Sequence, residues 1–236
     1  SVLLLANWSE LHNRRDEVPL DIAPLFETVN DLKRGTEVLR SMLDNDLYRE
    51  HLRQRNDQQT VMIGYSDSNK DSGLASARWA LQNAQVNLVN VVAERDIELH
   101  LFHGRGGTIS RGGGKTHTAV LGAPPGTVNG HLRVTEQGEI INEKYGLRGI
   151  ALRTLEQITG SVALATALPE HRGNDKEEWH DMMEVIANVS RNTYRKLVET
   201  SGFYDYFRLA TPIDLIERMR IGSRPASRYK GKGFDN

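Results

Sequence analysis

Residues 61–102 read VMIGYSDSNKDSGLASARWALQNAQVNLVNVVAERDIELHLF, and this stretch decides the fold class. Val61–Tyr65 is an unbroken apolar run of strand length that stops at Ser66 and Asp67. Ala77, Leu81, Ala84, Leu88, Val91 and Val92 then recur at three- and four-residue steps, which is the spacing of one helical face. Ile97–Phe102 alternates like a half-buried strand and ends at His103. A strand, a long helix and a second strand make one βα unit and the start of the next, and repetition of that unit builds a parallel sheet.

The same grammar extends to either side. Ile22–Phe26 is a short apolar run closed by Glu27, and a helical stretch continues through Leu32, Leu39, Met42 and Leu43, with Leu47 beyond. Leu132–Val134 is a weaker strand leading to Glu136. The strand ends recur roughly every 33 to 40 residues, the length of one βα unit. A closed eight-unit barrel takes about 250 residues, so residues 1–150 hold about half of one. After residue 150 the pattern is helical. Trp179, Met182, Met183, Ile186, Val189 and Leu197 trace one face, and Ser161–Leu168 reads as a buried helix segment. Thr211 and Pro212 predict an N-cap and first-turn proline for a helix through Ile213, Leu215 and Ile216. Ser223–Gly233 (SRPASRYKGKG) is basic and aperiodic, and reads as a mobile loop. The prediction is an α/β chain: βα units over 1–150, then a helical continuation over 151–236, together one incomplete domain of a larger protein.

Bulk properties narrow the function classes. Thirty basic residues against thirty-one acidic ones give no electrostatic pull toward nucleic acid or an anionic membrane. No apolar run reaches the length of a membrane span. The chain has no cysteine, which excludes disulfides, zinc–thiolate sites and thiol nucleophiles and fits a reducing, cytoplasmic setting. The start, SVLLLA, lacks an initiator Met and the basic flank of a signal peptide, and the end, GKGFDN, has no capping logic, so both ends are expected to be cut from something longer.

The densest chemical signal is Phe102–His117, FHGRGGTISRGGGKTH. Glycines such as Gly106 and Gly107 let backbone N–H groups converge on an anion, and Arg105 and Arg111 add forked donors suited to phosphate or carboxylate. A nucleotide P-loop does not fit, because position 109 is Ile where that motif requires Gly. An RGG-type RNA segment would be repetitive and disordered, whereas strong strand and helix patterns flank this one. A second signal, Gly64–Gly73 (GYSDSNKDSG), carries Asp67, Lys70 and Asp71 after a buried strand; alone it reads as a helix cap formed by Ser68 or Asp71 sooner than as a site, and its place beside the glycine-rich stretch favours the functional reading. Glu27 is a third, either an N-cap or a ligand. Paired with Asp67 it offers two carboxylates to a hard cation such as Mg2+ or Mn2+. The histidines at 12, 51, 100, 131, 171 and 180 show no ligand spacing and read as surface or packing residues, while Trp8, Trp79 and Trp179 read as core or partly buried.

GYSDSNKDSG, FHGRGGTISRGGGKTH, LRVTEQGE and IGSRPASR, in this order and spacing, resemble phosphoenolpyruvate carboxylase, as do PLFET at the start and YFRLATP before the last motif. The resemblance runs from about residue 18 to the C-terminus. It implies part of a (β/α)8 TIM-type barrel with additional helices, a homotetramer controlled by allosteric small-molecule effectors, and Mg2+ or Mn2+ as cofactor. It implies phosphoenolpyruvate and bicarbonate as substrates, with oxaloacetate and phosphate as products. The family's metal-binding carboxylates fall on Glu27 and Asp67. Its phosphate-binding arginine falls on Arg105, and the arginine tied to bicarbonate and inhibitor binding falls on Arg111. Lys70 and His103 match positions close to the reacting groups, and Ser223–Gly233 matches a flexible loop beside the site. Lys115 departs from the uncharged residue usual there and is expected to point to solvent. A catalytic histidine and further substrate arginines of the family lie outside this chain, so a partial site, inactive alone, is expected. The competing readings are a non-catalytic anion-binding module and another phosphoenolpyruvate- or pyruvate-handling barrel.

Overall fold

In the computed structural model, which describes residues 1–13, 17–104, 115–136, 138–168 and 177–218, four strands pair in parallel. They are β1 (Leu25–Phe26), β2 (Gln58–Gly64), β3 (Glu98–Gly104) and β4 (Arg133–Val134). Helix α1 (Val2–Trp8) precedes β1; α2 (Val29–Leu43) and α3 (Asp46–Gln54) link β1 to β2; α4 (Ser66–Ser72) and α5 (Leu74–Ala93) link β2 to β3; and α6 (Thr116–Leu121) lies between β3 and β4. Beyond β4 come α7 (Gly138–Tyr145), α8 (Arg148–Ala167), α9 (Glu177–Val198), α10 (Phe203–Ala210) and α11 (Ile213–Arg218). The chain is thus α/β, mostly helical around a parallel sheet whose spatial order, β1-β2-β3-β4, is also its order in sequence.

The register fixes which side chains share a face. Phe26, Ile63, His103 and Val134 are laterally aligned, as are Leu25, Met62, Phe102 and Arg133. The first set faces the helices, where Val61, Ile63, Leu99 and Leu101 pack with Leu32 and Leu39 of α2 and with Leu81, Leu88 and Val91 of α5. Leu39, Val61 and Val91 are fully buried, so the helix periodicity and the strand alternation converge on one core. The second set lines the opposite face, where Leu25 is 44% exposed and the Arg133 guanidinium lies 4.5 Å from the Phe102 ring centre.

Local differences from expectation have identifiable causes. Residues 22–24 are not strand: the Ile22 carbonyl accepts from Gln59 Nε2 at 3.0 Å, a side-chain bond that replaces a ladder partner. Asn45 Oδ1 accepts from the Tyr48 N–H at 3.1 Å and starts α3 as a separate helix, on which Leu47 is exposed. Residues 66–72 form their own helix rather than the cap of α5, and Ser68 is buried inside it with its hydroxyl donating to the Gly64 carbonyl. Gly73, at φ +77°, turns the chain from α4 into α5, and the place a Cβ would occupy lies 3.0 Å from the Tyr194 side chain. Thr211 donates its hydroxyl back to the Phe207 carbonyl at 2.6 Å, closing α10 instead of capping α11.

The helical continuation departs most from expectation. Of α9 only Ala187 is buried, while Trp179, Met182, Ile186, Val189 and Leu197 are exposed. Ser161 and Ala165 of α8 are buried but Leu164 and Leu168 are exposed, and Trp8 is also solvent-facing. Trp79 behaves as expected: it is half-buried, and its indole N–H donates to Glu184 at 2.7 Å, tying α5 to α9.

Candidate functional site

The carboxyl ends of the strands gather the candidate residues. Glu27 comes directly after β1, and its Cα and Cγ lie 3.1 Å from where a Cβ on Gly64 would sit. Glycine at the end of β2 therefore gives the Glu27 side chain room to lie across the strand. The start of α2 anchors the backbone beside Glu27. Thr28 and Asp31 form a reciprocal capping box there, with Asp31 Oδ2 accepting from the Thr28 N–H and Thr28 Oγ1 from the Asp31 N–H. The backbone N–H of Thr28 chiefly holds the Asp31 carboxyl below its ordinary range.

Asp67 lies in the first turn of α4, three residues beyond Gly64. Both carboxylates of the expected pair thus flank one strand end. Asp67 Oδ1 accepts from Lys70 Nζ at 3.0 Å, so the expected lysine is on the same short helix and in contact with the expected ligand. Asp71 supplies a brace that the sequence did not reveal. Its Oδ2 accepts from the Val29 N–H at 3.4 Å and its Oδ1 from Arg195 at 3.4 Å, joining α4 to the first turn of α2 and to α9. Its near-neighbour spacing to Asp67 and Lys70 gave no hint of partners 42 and 124 residues away.

His103 takes the other side of the sheet. It is buried, aligned with Ile63 rather than Gly64, and its Nδ1 lies 2.9 Å from the Tyr65 hydroxyl. Both residues line a cavity of about 220 Å³, with Arg78, Gln85, Val120 and Leu132 among its walls. Glu27, beside Gly64, and His103, aligned with Ile63, therefore lie at neighbouring strand ends on opposite faces of the sheet. Tyr65 was legible only as the last residue of an apolar strand; its hydroxyl partner depends on the parallel register.

Arg105, Gly106, Gly107 and Arg111 lie outside the described residues, as does Ser223–Gly233. The described flanks bring the glycine-rich stretch out of Gly104, paired with Gly64, and into Lys115, which is exposed ahead of α6. The segment thus leaves the sheet beside the strand end that Glu27 and Asp67 flank. Two carboxylates are a hard-oxygen donor set suited to Mg2+ or Mn2+, with room for ligand oxygens from a substrate. Binding there would exchange the Lys70 ammonium on Asp67 for a dication.

Comparison with known proteins gives consistent matches. The family model described as phosphoenolpyruvate carboxylase matches residues 1–236. A phosphoenolpyruvate carboxylase of Xanthomonas campestris pv. campestris (strain 8004) is 53% identical over 228 residues, covering 97% of this chain and 25% of that protein. Those of Mycobacterium leprae (46% identical over 211 residues) and Corynebacterium efficiens (47% over 210) each cover 89% of this chain and 23% of the relative. The chain spans about a quarter of the length of the curated relatives it matches.

Proposed function

Because the chain belongs to the phosphoenolpyruvate carboxylase family, we propose that it carries the cation- and phosphate-binding part of an enzyme that forms oxaloacetate and phosphate from phosphoenolpyruvate and bicarbonate. What supports this reading is that Glu27 lies against Gly64 at the end of β2 and Asp67 follows three residues beyond Gly64, next to the point where β3 ends at Gly104 ahead of the glycine- and arginine-rich stretch. The sequential parallel order of the sheet supports residues 1–150 as part of a (β/α)8 barrel, whose sites form at the carboxyl ends of the strands. Assembly as a homotetramer under small-molecule control belongs to the same reading.

In this mechanism Arg105 binds the phosphate of phosphoenolpyruvate, and Arg111 places bicarbonate for attack on phosphorus. The products of that step are carboxyphosphate and the enolate of pyruvate; carboxyphosphate releases carbon dioxide, and the enolate carbon attacks it to give oxaloacetate. Fixed positive groups stabilise oxyanions most where water is excluded. A divalent cation on Glu27 and Asp67 supplies electrostatic stabilisation of the negative charge that develops on oxygen. Lys70 adds a cation at the same rim. His103, buried against Tyr65, shapes the opposite side of the strand ends. Ser223–Gly233 serves as a basic lid that limits protonation of the enolate to pyruvate.

The test is oxaloacetate production coupled to malate dehydrogenase. In the full-length polypeptide, Asp67→Asn and Glu27→Gln are each expected to lower kcat by about 10²–10³, the scale of losing one electrostatic stabiliser. The 236-residue chain by itself is expected to show no turnover above background. Unchanged rates in both variants would overturn the assignment. Binding of phosphoenolpyruvate that is independent of Mn2+ and of Asp67 would favour a non-catalytic anion-binding module.

A further inference from the structure

A second group of ligand-type side chains lies at the opposite end of the sheet, where none of the proposed chemistry takes place. Glu98 opens β3, His100 lies two residues on along the same strand face, and His131 stands two residues before β4. His100 Nε2 lies 3.1 Å from Glu98 Oε1 and 2.6 Å from His131 Nε2, and His131 Nε2 lies 3.9 Å from the same Glu98 oxygen. The sequence assigned these histidines to surface or packing roles, since 31 residues separate them. The parallel pairing of β3 with β4 brings them together.

The surroundings of the three groups have the form of a metal site's outer shell. His131 Nδ1 lies 2.8 Å from the Asn129 carbonyl, which can only accept, so Nδ1 carries the proton and Nε2 presents its lone pair to the cluster. Glu98 Oε2 accepts from Gln58 Nε2 at 3.0 Å, which leaves Oε1 directed at the imidazoles. His100 and His131 meet edge to face with ring centres 3.7 Å apart. Ligand atoms around a tetrahedral zinc-type ion stand about 3.3 Å apart, given bonds of about 2.0–2.2 Å. The two nitrogens need to separate by about 0.7 Å to admit such an ion, and the half-exposed Glu98 and His131 leave a side open for water.

We propose that Glu98, His100 and His131 form a binding site for a zinc-class transition-metal dication, separate from the Mg2+ or Mn2+ position at Glu27 and Asp67. Two imidazoles and one carboxylate select a borderline ion over a hard one. The sites are set apart along the strand: from His100 to Gly104 the chain advances about 13 Å at roughly 3.3 Å per residue. The ion fastens the start of β3 to the 129–131 turn. That turn is already tied to α8, with the Gly130 N–H donating to Thr166 Oγ1 at 2.9 Å. The bound ion therefore stabilises the join of β3 to the turn before β4 and takes no part in turnover.

The test uses the full-length polypeptide in millimolar Mg2+, which occupies hard-oxygen sites. Titration with Co2+ is expected to load one ion per chain with the intense visible bands of tetrahedral coordination, displaced by Zn2+. His131→Asn, on an exposed turn, is expected to weaken Co2+ binding at least about tenfold and to remove the Zn2+-dependent rise in Tm, with His100→Phe and Glu98→Gln behaving alike. The proposal is overturned if the unsubstituted protein takes up no Co2+ in Mg2+. It is equally overturned if His131→Asn and His100→Phe bind Co2+ as tightly as the unsubstituted protein, or if Asp67→Asn rather than these variants abolishes the bands.

Discussion

The βα part of the chain and the helices beyond it use apolar residues differently. In α2 and α5, Leu32, Leu39, Leu81 and Leu88 are buried by the strands they were patterned to cover. In α9, α10 and α11 the pattern is as regular, yet Val189 is 60% and Leu209 89% exposed, and α10 and α11 bury no residue. Periodicity states which residues of a helix want a common neighbour; only the tertiary arrangement supplies it. In the βα part the core neighbours of α2 and α5 are the adjacent strands, because one unit folds onto the next.

Truncation of side chains puts this contrast to the test. Leu39→Ala, within the core of α2, is expected to cost about 2–5 kcal/mol in urea unfolding of this chain. Leu209→Ala should stay within about 0.5 kcal/mol, as for a surface position. Comparable losses at both sites would mean that the exposed helices have a covering neighbour in solution. A smaller effect is expected at the start of α2. Thr28→Ala removes the acceptor for the Asp31 N–H and should cost about 1 kcal/mol. Since the capping box also holds the segment carrying Glu27, that variant should weaken Mn2+ binding as well, whereas Asn45→Ala at α3 should lower stability alone.

Protonation gives the finest probe of the βα core. His51 is buried beside Tyr48, and burial holds its imidazole below the ordinary 6.5. The unfolded chain then takes up a proton at a higher pH than the folded one. Stability from this residue is complete above pH 6.5 and declines as pH falls below that value toward the folded pKa. Urea midpoints between about pH 7.5 and 5.5 should therefore fall less steeply in His51→Leu than in the unsubstituted chain. Equal slopes would show that His51 is protonated as easily folded as unfolded.

Much of the βα part was legible. Val61–Tyr65, the 77–92 periodicity and Ile97–Phe102 each encode one burial surface, and the strands and α5 match them within a few residues. Glu27 and Asp67 could be assigned to strand ends because both come after apolar runs. The separate helix α4 was not legible, since SDSNKDS has no apolar period and its order comes from Ser68 and Ser72 bonding inward and Asp71 bracing outward. Nor was the side taken by His103, because the face of a strand residue depends on register.

The sequence by itself determined the main strands and the long helices of the βα part, the parallel sense of the sheet and the family resemblance, because hydrophobic period and motif spacing are properties of neighbouring residues. The tertiary structure alone decided which distant groups meet: Glu27 over Gly64, Asp71 with Val29 and Arg195, His103 with Tyr65, and His100 with His131 beside Glu98. Those meetings are set by helix docking and by strand register, in which a shift of one residue would turn each strand side chain to the other face.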